Sequence, residues 1–171
     1  MATTDKSRPV VDVAPVIEDD ASAVDTAVAR LRKCFDSGKT KPYTYRVAQL
    51  KQLMKGIKTL SSDLSQAVTQ DLAKDDFSNW MFELRMIERE IEHCLKHLKS
   101  WMQDEVMDTP LFLGPARSYL QREPLGIVAV IGSWNYPLAT AIGPVVSAIA
   151  AGNCVMLKPS EMAPWTARAV K

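Results

Sequence analysis

Over residues 22–104 the apolar positions recur every three or four residues, the period of an amphipathic helix. Val24, Val28, Leu31 and Phe35 predict a first helix over 22–36, capped by Asp20 or Ser22 and stopped by Gly38. Val47, Leu50, Leu53, Met54, Ile57, Leu60, Leu64 and Val68 form one stripe and predict a helix over 43–71. Gly56 weakens it locally, and Ser61-Ser62-Asp63 marks a break or a new N-cap. Phe77, Trp80, Met81, Leu84, Ile87, Ile91, Leu95, Leu98 and Trp101 predict a further helix over 75–104. Glu83, Arg85, Glu88, Arg89, Glu90 and Glu92 fall between them and are expected on a solvated face. Two long amphipathic helices in succession predict an antiparallel hairpin that packs against another layer.

The pattern then changes. Residues 106–116 hold Pro110, Gly114 and Pro115 and predict a loop with one extended piece. Residues 118–122 alternate and predict an exposed or edge strand. Residues 126–131 are an unbroken apolar run, as a strand buried on both faces of a parallel sheet requires. A polar turn, 132–137, leads into an Ala-rich helix over 138–151, and Gly152-Asn153 signals its end. A second strand over 154–157, a turn over 158–161 and a helix near Pro164 complete a βαβ unit that opens into another helix. The fold class is therefore α/β. The organisation is a flexible arm over 1–20, a helical region over 21–105, a loop and edge strand over 106–123, and the first βαβ of a parallel sheet over 124–171.

Composition narrows the function classes. The formal net charge is +1 and the 21 basic residues are scattered, so nothing argues for nucleic acid or an anionic membrane surface. The longest apolar stretch is interrupted by Thr140, Gly143, Pro144 and Ser147, too short and broken to cross a bilayer. Cys34, Cys94 and Cys154 are widely spaced, with neither a zinc pattern nor a disulfide framework. A reducing compartment follows, and the acidic N-terminus is unlike a secretory or transit leader. We expect an intracellular protein, cytoplasmic first, with membrane-associated and organellar placements as the alternatives.

In a βαβ unit, ligands gather outside the carboxyl ends of the strands. Both polar turns lie there. Asn135 offers a side-chain N–H to an oxygen that becomes charged, or it caps the following helix with Pro137 at the first helical position. Lys158 and Glu161 suit a ribose diol, or form a surface ion pair near a helix N-terminus. Gly126, Gly132 and Gly143 do not have the spacing of a GxGxxG phosphate loop. His93 and His97 share a helix face without a third ligand, and read as surface or packing residues. Cys154, in an apolar strand, reads as an inert core thiol. Neither Cys34 nor Cys94 has the His/Asp context of a nucleophile.

The run EPLGIVAVIGSWNYPLATAIGPVVSAIAAGNCVMLKPSE over 123–161 resembles the aldehyde dehydrogenase superfamily, most closely its class 3 and fatty aldehyde dehydrogenase branch. WNYP, AAGN and KPSE stand in the family's order and spacing, and RVAQLKQL and DLAKDDFSNWMFELRMIEREIEH fit the same branch. The resemblance covers 21–171; the first twenty residues have no counterpart in it. It implies a Rossmann-variant NAD(P)-binding domain lacking GxGxxG, begun over 124–171 as part of an incomplete aldehyde dehydrogenase fold. Asn135 then matches the amide that stabilises the thiohemiacetal oxyanion. Lys158 and Glu161 match the pair that binds the adenosine ribose, and Ile131, Ser133 and Trp134 match positions lining the cofactor cleft. The implied cofactor is NAD, with NADP as a second acceptor, the substrate an aldehyde, and the assembly a homodimer. The family's nucleophilic cysteine and general-base glutamate lie further along than Lys171. The expectation is thus an N-terminal portion of an aldehyde-oxidising enzyme, inactive alone. The alternative is a non-catalytic structural or interaction subunit, and no membrane anchor is visible.

Overall fold

The helical stripes account for the first half of the computed structural model, which describes residues 21–171. The arm expected over 1–20 lies outside the described residues. Helix α1 spans Ala21–Asp36. The long stripe over 43–71 breaks into α2 (Tyr43–Thr59) and α3 (Ser61–Leu72) at the serine pair; Leu60 ends one helix and precedes the other without a side-chain cap. Helix α6 (Pro137–Ala150) lies between two layers, with α2 and α5 (Arg85–Trp101) on it and the strand pair β3 (Ile127–Ile131) and β4 (Cys154–Lys158) beneath. Leu50 and Ile57 of α2, Ile87 and Ile91 of α5, and Leu138 and Val146 of α6 meet in one core. Strands β3 and β4 run parallel in register from Ile127 opposite Cys154 to Ile131 opposite Lys158. Helix α1 also packs on this pair, and α7 (Pro164–Val170) packs on α3. Among the described residues no helix is long and apolar enough to cross a membrane.

Two expectations need correction. The helix over 75–104 is not uniform. A short α4 (Asp76–Asn79) runs into a π-helical turn, Trp80–Leu84, before α5 begins. A π turn holds an extra residue and rotates the segment before it relative to the helix after it. Phe77 and Trp80, expected in the core, are 62% and 48% exposed. Asn79 and Glu83 take the inner positions and are both 0% exposed, so the charged residues do not all lie on a solvated face.

Strand β3 is not buried on both faces. Val130 is buried, but Ala129 is exposed and Ile131 is 75% exposed. Val130 shares a face with Gly132, which lies against Ala141 of α6, while Ala129 and Ile131 point to the opposite face, which is open at the carboxyl end of the strand. The loop with one extended piece expected over 106–116 begins in a strand, β1 (Glu105–Met107). This strand pairs antiparallel with β2 (Ser118–Leu120), Val106 opposite Tyr119. This excursion carries exposed Val106, Leu111 and Phe112.

Candidate active-site edge

The parallel register assembles the site. Ile131 and Lys158 are direct neighbours at the carboxyl ends of β3 and β4, and the Gly132 amide donates to the Lys158 carbonyl at 2.9 Å. The two polar turns therefore leave the sheet side by side. Gly132 is required there for closeness: a Cβ would lie 2.9 Å from the Ala141 Cβ, so the strand end presses on α6.

The first turn is tied within itself. The Ser133 hydroxyl lies 2.7 Å from Asn135 Oδ1, and the Ser133 amide donates to Thr140 Oγ1 at 3.0 Å. Thr140 Oγ1 also reaches the Tyr136 carbonyl at 2.9 Å. Asn135 does not cap α6. The capping position is Tyr136, which makes no side-chain capping bond, and Pro137 stands at the first helical turn. With Oδ1 held by Ser133, the Asn135 Nδ2 is left as an exposed donor.

The cap comes from elsewhere. Glu83 Oε2 accepts from the Leu138 amide at 3.1 Å and the Ala139 amide at 2.9 Å. Its Oε1 accepts from Lys74 Nζ at 3.2 Å. Lys74 Nζ donates onward to the Asn135 carbonyl at 2.7 Å and sits 4.0 Å from the Tyr136 ring centroid. Burial pushes the Glu83 carboxyl above its usual range, opposed by the Ala139 amide and by Lys74. The other end of α6 is held by Arg46, which donates to the Ala150 carbonyl at 3.1 Å and the Thr40 carbonyl at 3.2 Å. The helix thus has a carboxylate at its positive end and a guanidinium at its negative end. Asp71 of α3 treats α7 alike, accepting from the Trp165 and Thr166 amides at 3.0 and 2.7 Å.

At the second turn, Lys158 Nζ and Glu161 Oε2 are 2.5 Å apart and both side chains face solvent. The Lys158 ammonium holds the Glu161 carboxyl below its usual range. Trp134 and Ile131 are exposed beside them, so this edge presents an apolar surface next to an ion pair and a free amide.

The structure brings Ile131, Ser133, Trp134, Asn135 and Lys158 to one strand edge, with Glu161 on the adjoining turn. Glu83, Lys74, Arg46 and Asp71 escaped sequence reading. The signal for Glu83 was faint: it sits four residues after Asn79, a period that continues through Ile87 and Ile91. The His93 and His97 rings are tilted to each other with centroids 4.5 Å apart, and Trp101 stacks on His97 at 5.7 Å along the same helix face. Among the described residues no group of three or more His, Cys, Asp or Glu is placed to hold a metal ion.

The thiols are poor nucleophiles. Burial pushes Cys94 and Cys154 up to about 11. Cys154 opens β4, at the opposite end of the strand from Lys158, and Cys34 is its neighbour on α1. At neutral pH such a thiol is roughly 0.01% thiolate. Iodoacetamide should therefore leave Cys94 and Cys154 unlabelled in the native protein and label them in denaturant, read by peptide mass spectrometry. Rapid native labelling of either would contradict their burial.

Comparison with known proteins agrees with this architecture. The model described as "Aldehyde dehydrogenase family" matches residues 6–171, and so reaches into the first twenty residues. A dimeric NADP-preferring aldehyde dehydrogenase of Canis lupus familiaris is 41% identical over 141 residues, covering 82% of this chain and 31% of that protein. Aldehyde dehydrogenase family 3 member H1 of Arabidopsis thaliana is 43% identical over 137 residues, covering 80% and 28%. The chain thus spans less than a third of the length of these relatives. The substrate-bound state of Staphylococcus aureus AldH superposes with a TM-score of 0.85 at 36% identity, covering 86% of this chain and 32% of that one. An indole-3-acetaldehyde dehydrogenase of P. syringae, in complex with NAD+, superposes with a TM-score of 0.77 at 29% identity, covering 88% and 30%. On a family match along nearly its whole length, with class 3 relatives and the same fold, this chain belongs to the aldehyde dehydrogenase family.

Proposed function

We propose that this chain supplies the oxyanion donor and the adenosine-ribose clamp of an enzyme that oxidises an aldehyde to a carboxylic acid with NAD(P). The observation that carries the reading is the register of β3 and β4, which sets the free Asn135 amide beside the strand that ends in Lys158. As an aldehyde carbonyl is attacked, its oxygen gains negative charge. A fixed N–H donor in that place stabilises the transition state more than the ground state. Asn135 Nδ2 is such a donor, oriented by Ser133 and anchored through its own carbonyl by Lys74.

The residues at the second turn fit a ribose. A carboxylate accepts from the two hydroxyls of the diol while the ammonium donates. They do not fit a pyrophosphate, because the first amides of α6 and α7 are already taken by Glu83 and Asp71. A nicotinamide held there would supply the two-electron acceptor that the oxidation requires. The exposed Glu161 carboxylate would repel a 2′-phosphate, so NAD is the preferred acceptor and NADP the second. Ile131, Ser133 and Trp134 line the cleft beside it. Cys34 and Cys154 lie at the far end of the strands and Cys94 is buried on α5, so this chain contributes charge stabilisation and cofactor contacts rather than the attacking thiolate. Three free thiols suit a reducing, intracellular setting. The exposed apolar excursion of β1 and β2 suits a homodimer, as the name of the canine relative describes for that protein.

The test is nucleotide reduction by the native polypeptide that carries this chain, given NAD or NADP and a panel of aliphatic and aromatic aldehydes. No reduction with any of them would remove the reading. In the same protein, Glu161→Gln should weaken NAD binding roughly tenfold by calorimetry and narrow the gap to NADP. Unchanged affinity would return Lys158 and Glu161 to a surface ion pair.

A further inference from the structure

Glu83 and Lys74 form a charged pair that the site's chemistry does not itself use. Glu83 is 0% exposed, on a π-helical turn, at an inner position where an apolar residue would be ordinary. Helix α6 needs an N-terminal acceptor, but a serine or aspartate at position 136 would serve with no buried charge. Burying a carboxylate instead is expensive unless its hydrogen bonds are complete. Here they are. One oxygen takes two α6 amides, and the other takes Lys74.

The lysine shows what the arrangement reaches. It spans from Glu83 Oε1 to the carbonyl of Asn135, at 3.2 and 2.7 Å, and lies against the Tyr136 ring. The Asn135 backbone is thus fastened from one side by Lys74 and its side-chain oxygen from the other by Ser133. Straightening the π turn into an α-helix would rotate Glu83 by about 100° relative to α5, away from α6. Turns of this kind are frequent at functional sites for this reason: they aim one side chain where regular helix would not. Ser65 and Thr69 of α3 hold the base of the turn through Asn79 Nδ2, at 3.0 Å from the Ser65 carbonyl and 2.8 Å from Thr69 Oγ1. The path from the helical layer to the Asn135 turn is therefore continuous.

We propose that Glu83, aimed by the π turn and acting through Lys74, is a positioning residue that sets the place and angle of the Asn135 amide during aldehyde oxidation. This rests on the oxyanion role proposed for Asn135. A tether that only stabilised the fold would change stability and leave the rate per folded molecule alone. A positioning tether changes kcat, because small displacements of a charge-stabilising donor weaken it in the transition state.

The experiment uses the native polypeptide that carries this chain, with the variants Lys74→Met, Lys74→Arg, Glu83→Gln and Asn135→Ala, and the doubles with Asn135→Ala. Lys74→Met and Glu83→Gln are expected to lower kcat about tenfold or more with KM for NAD unchanged. Lys74→Arg should restore most of the loss. In the Asn135→Ala background the same changes should alter kcat less than about twofold, since the donor they position is gone. The side-chain amide resonance of Asn135 should shift or broaden in Lys74→Met, with that of Asn153 unmoved. An unchanged Asn135 resonance overturns the proposal, as do equal losses in both backgrounds or an unchanged kcat in Lys74→Met. If Asn135→Ala itself leaves kcat intact, the oxyanion reading falls and takes this one with it. If Asn135→Ala is impaired and Lys74→Met is not, positioning alone is refuted. Should Glu83→Gln fail to fold, the part-exposed Lys74 still decides the matter.

Discussion

Asn135→Ala is expected to lower kcat by about 10²–10³-fold in the native polypeptide while moving its melting temperature by no more than ~2 °C. The two halves of that result separate the readings that sequence left open. Loss of an N-cap costs about 1 kcal/mol of stability and does nothing to chemistry. Loss of an oxyanion donor does the reverse. The geometry favours the second outcome. Tyr136 holds the capping position, Glu83 satisfies the first amides of α6, and Asn135 is solvent-facing with its oxygen turned to Ser133. Asn135→Asp sharpens the test. It keeps the shape and replaces the donor by a negative acceptor, so its kcat should fall below that of the alanine variant. A cap role predicts the opposite, because aspartate caps as well as asparagine. A normal kcat for either variant would leave the site without its electrophilic group.

Arg46→Ala is expected to destabilise the folded chain by roughly 3 kcal/mol, a fall of about 6–12 °C in melting temperature. Arg46 is buried on α2 and makes no ion pair among the described residues. Burial alone lowers its readiness to carry a proton, yet its guanidinium stays charged at any ordinary pH. Compensation comes from the end of α6: the Ala150 carbonyl, the Thr40 carbonyl and the negative end of the helix. Truncation would orphan both carbonyls and open a cavity beside Gly152. The fit there is close enough that a Cβ on Gly152 would lie 2.6 Å from the guanidinium carbon. Gly152 also sits at φ +91°, so Gly152→Ala should lose stability in the same direction. Arg46→Lys should fall between, since an ammonium keeps the charge but not the fork that reaches two carbonyls. Denaturation of all three variants, followed by circular dichroism, reads the effect. An Arg46→Ala protein as stable as wild type would mean that α6 needs no anchor at its carboxyl end.

The two predictions share a cause. Helix α6 carries the turn that holds Asn135, and charged residues from the helical layer fix both its ends. Lining up Glu83 with Leu138, Arg46 with Ala150 and Asp71 with Thr166 joins residues 55, 104 and 95 positions apart. Periodicity reads neighbours three or four positions away and carries no information at those distances. For that reason Glu83 looked like one more residue of a solvated charged face, while Phe77 and Trp80 looked like core. The π turn exchanged them by rotating the register of one segment.

By itself, the sequence was enough to determine most of the helices, the βαβ unit and, through the resemblance of the run over 123–161, the family. The elements follow from local rules, apolar period and glycine and proline at turns, and the family from WNYP, AAGN and KPSE in their order and spacing. Only the tertiary structure decided whether Asn135 is a cap or a free donor, and which carboxylate caps α6 in its place. A hydrogen-bond donor's role depends on which acceptors are near it in space. The nearest acceptor for α6 comes from Glu83, brought across the core by the packing of α5 on α6.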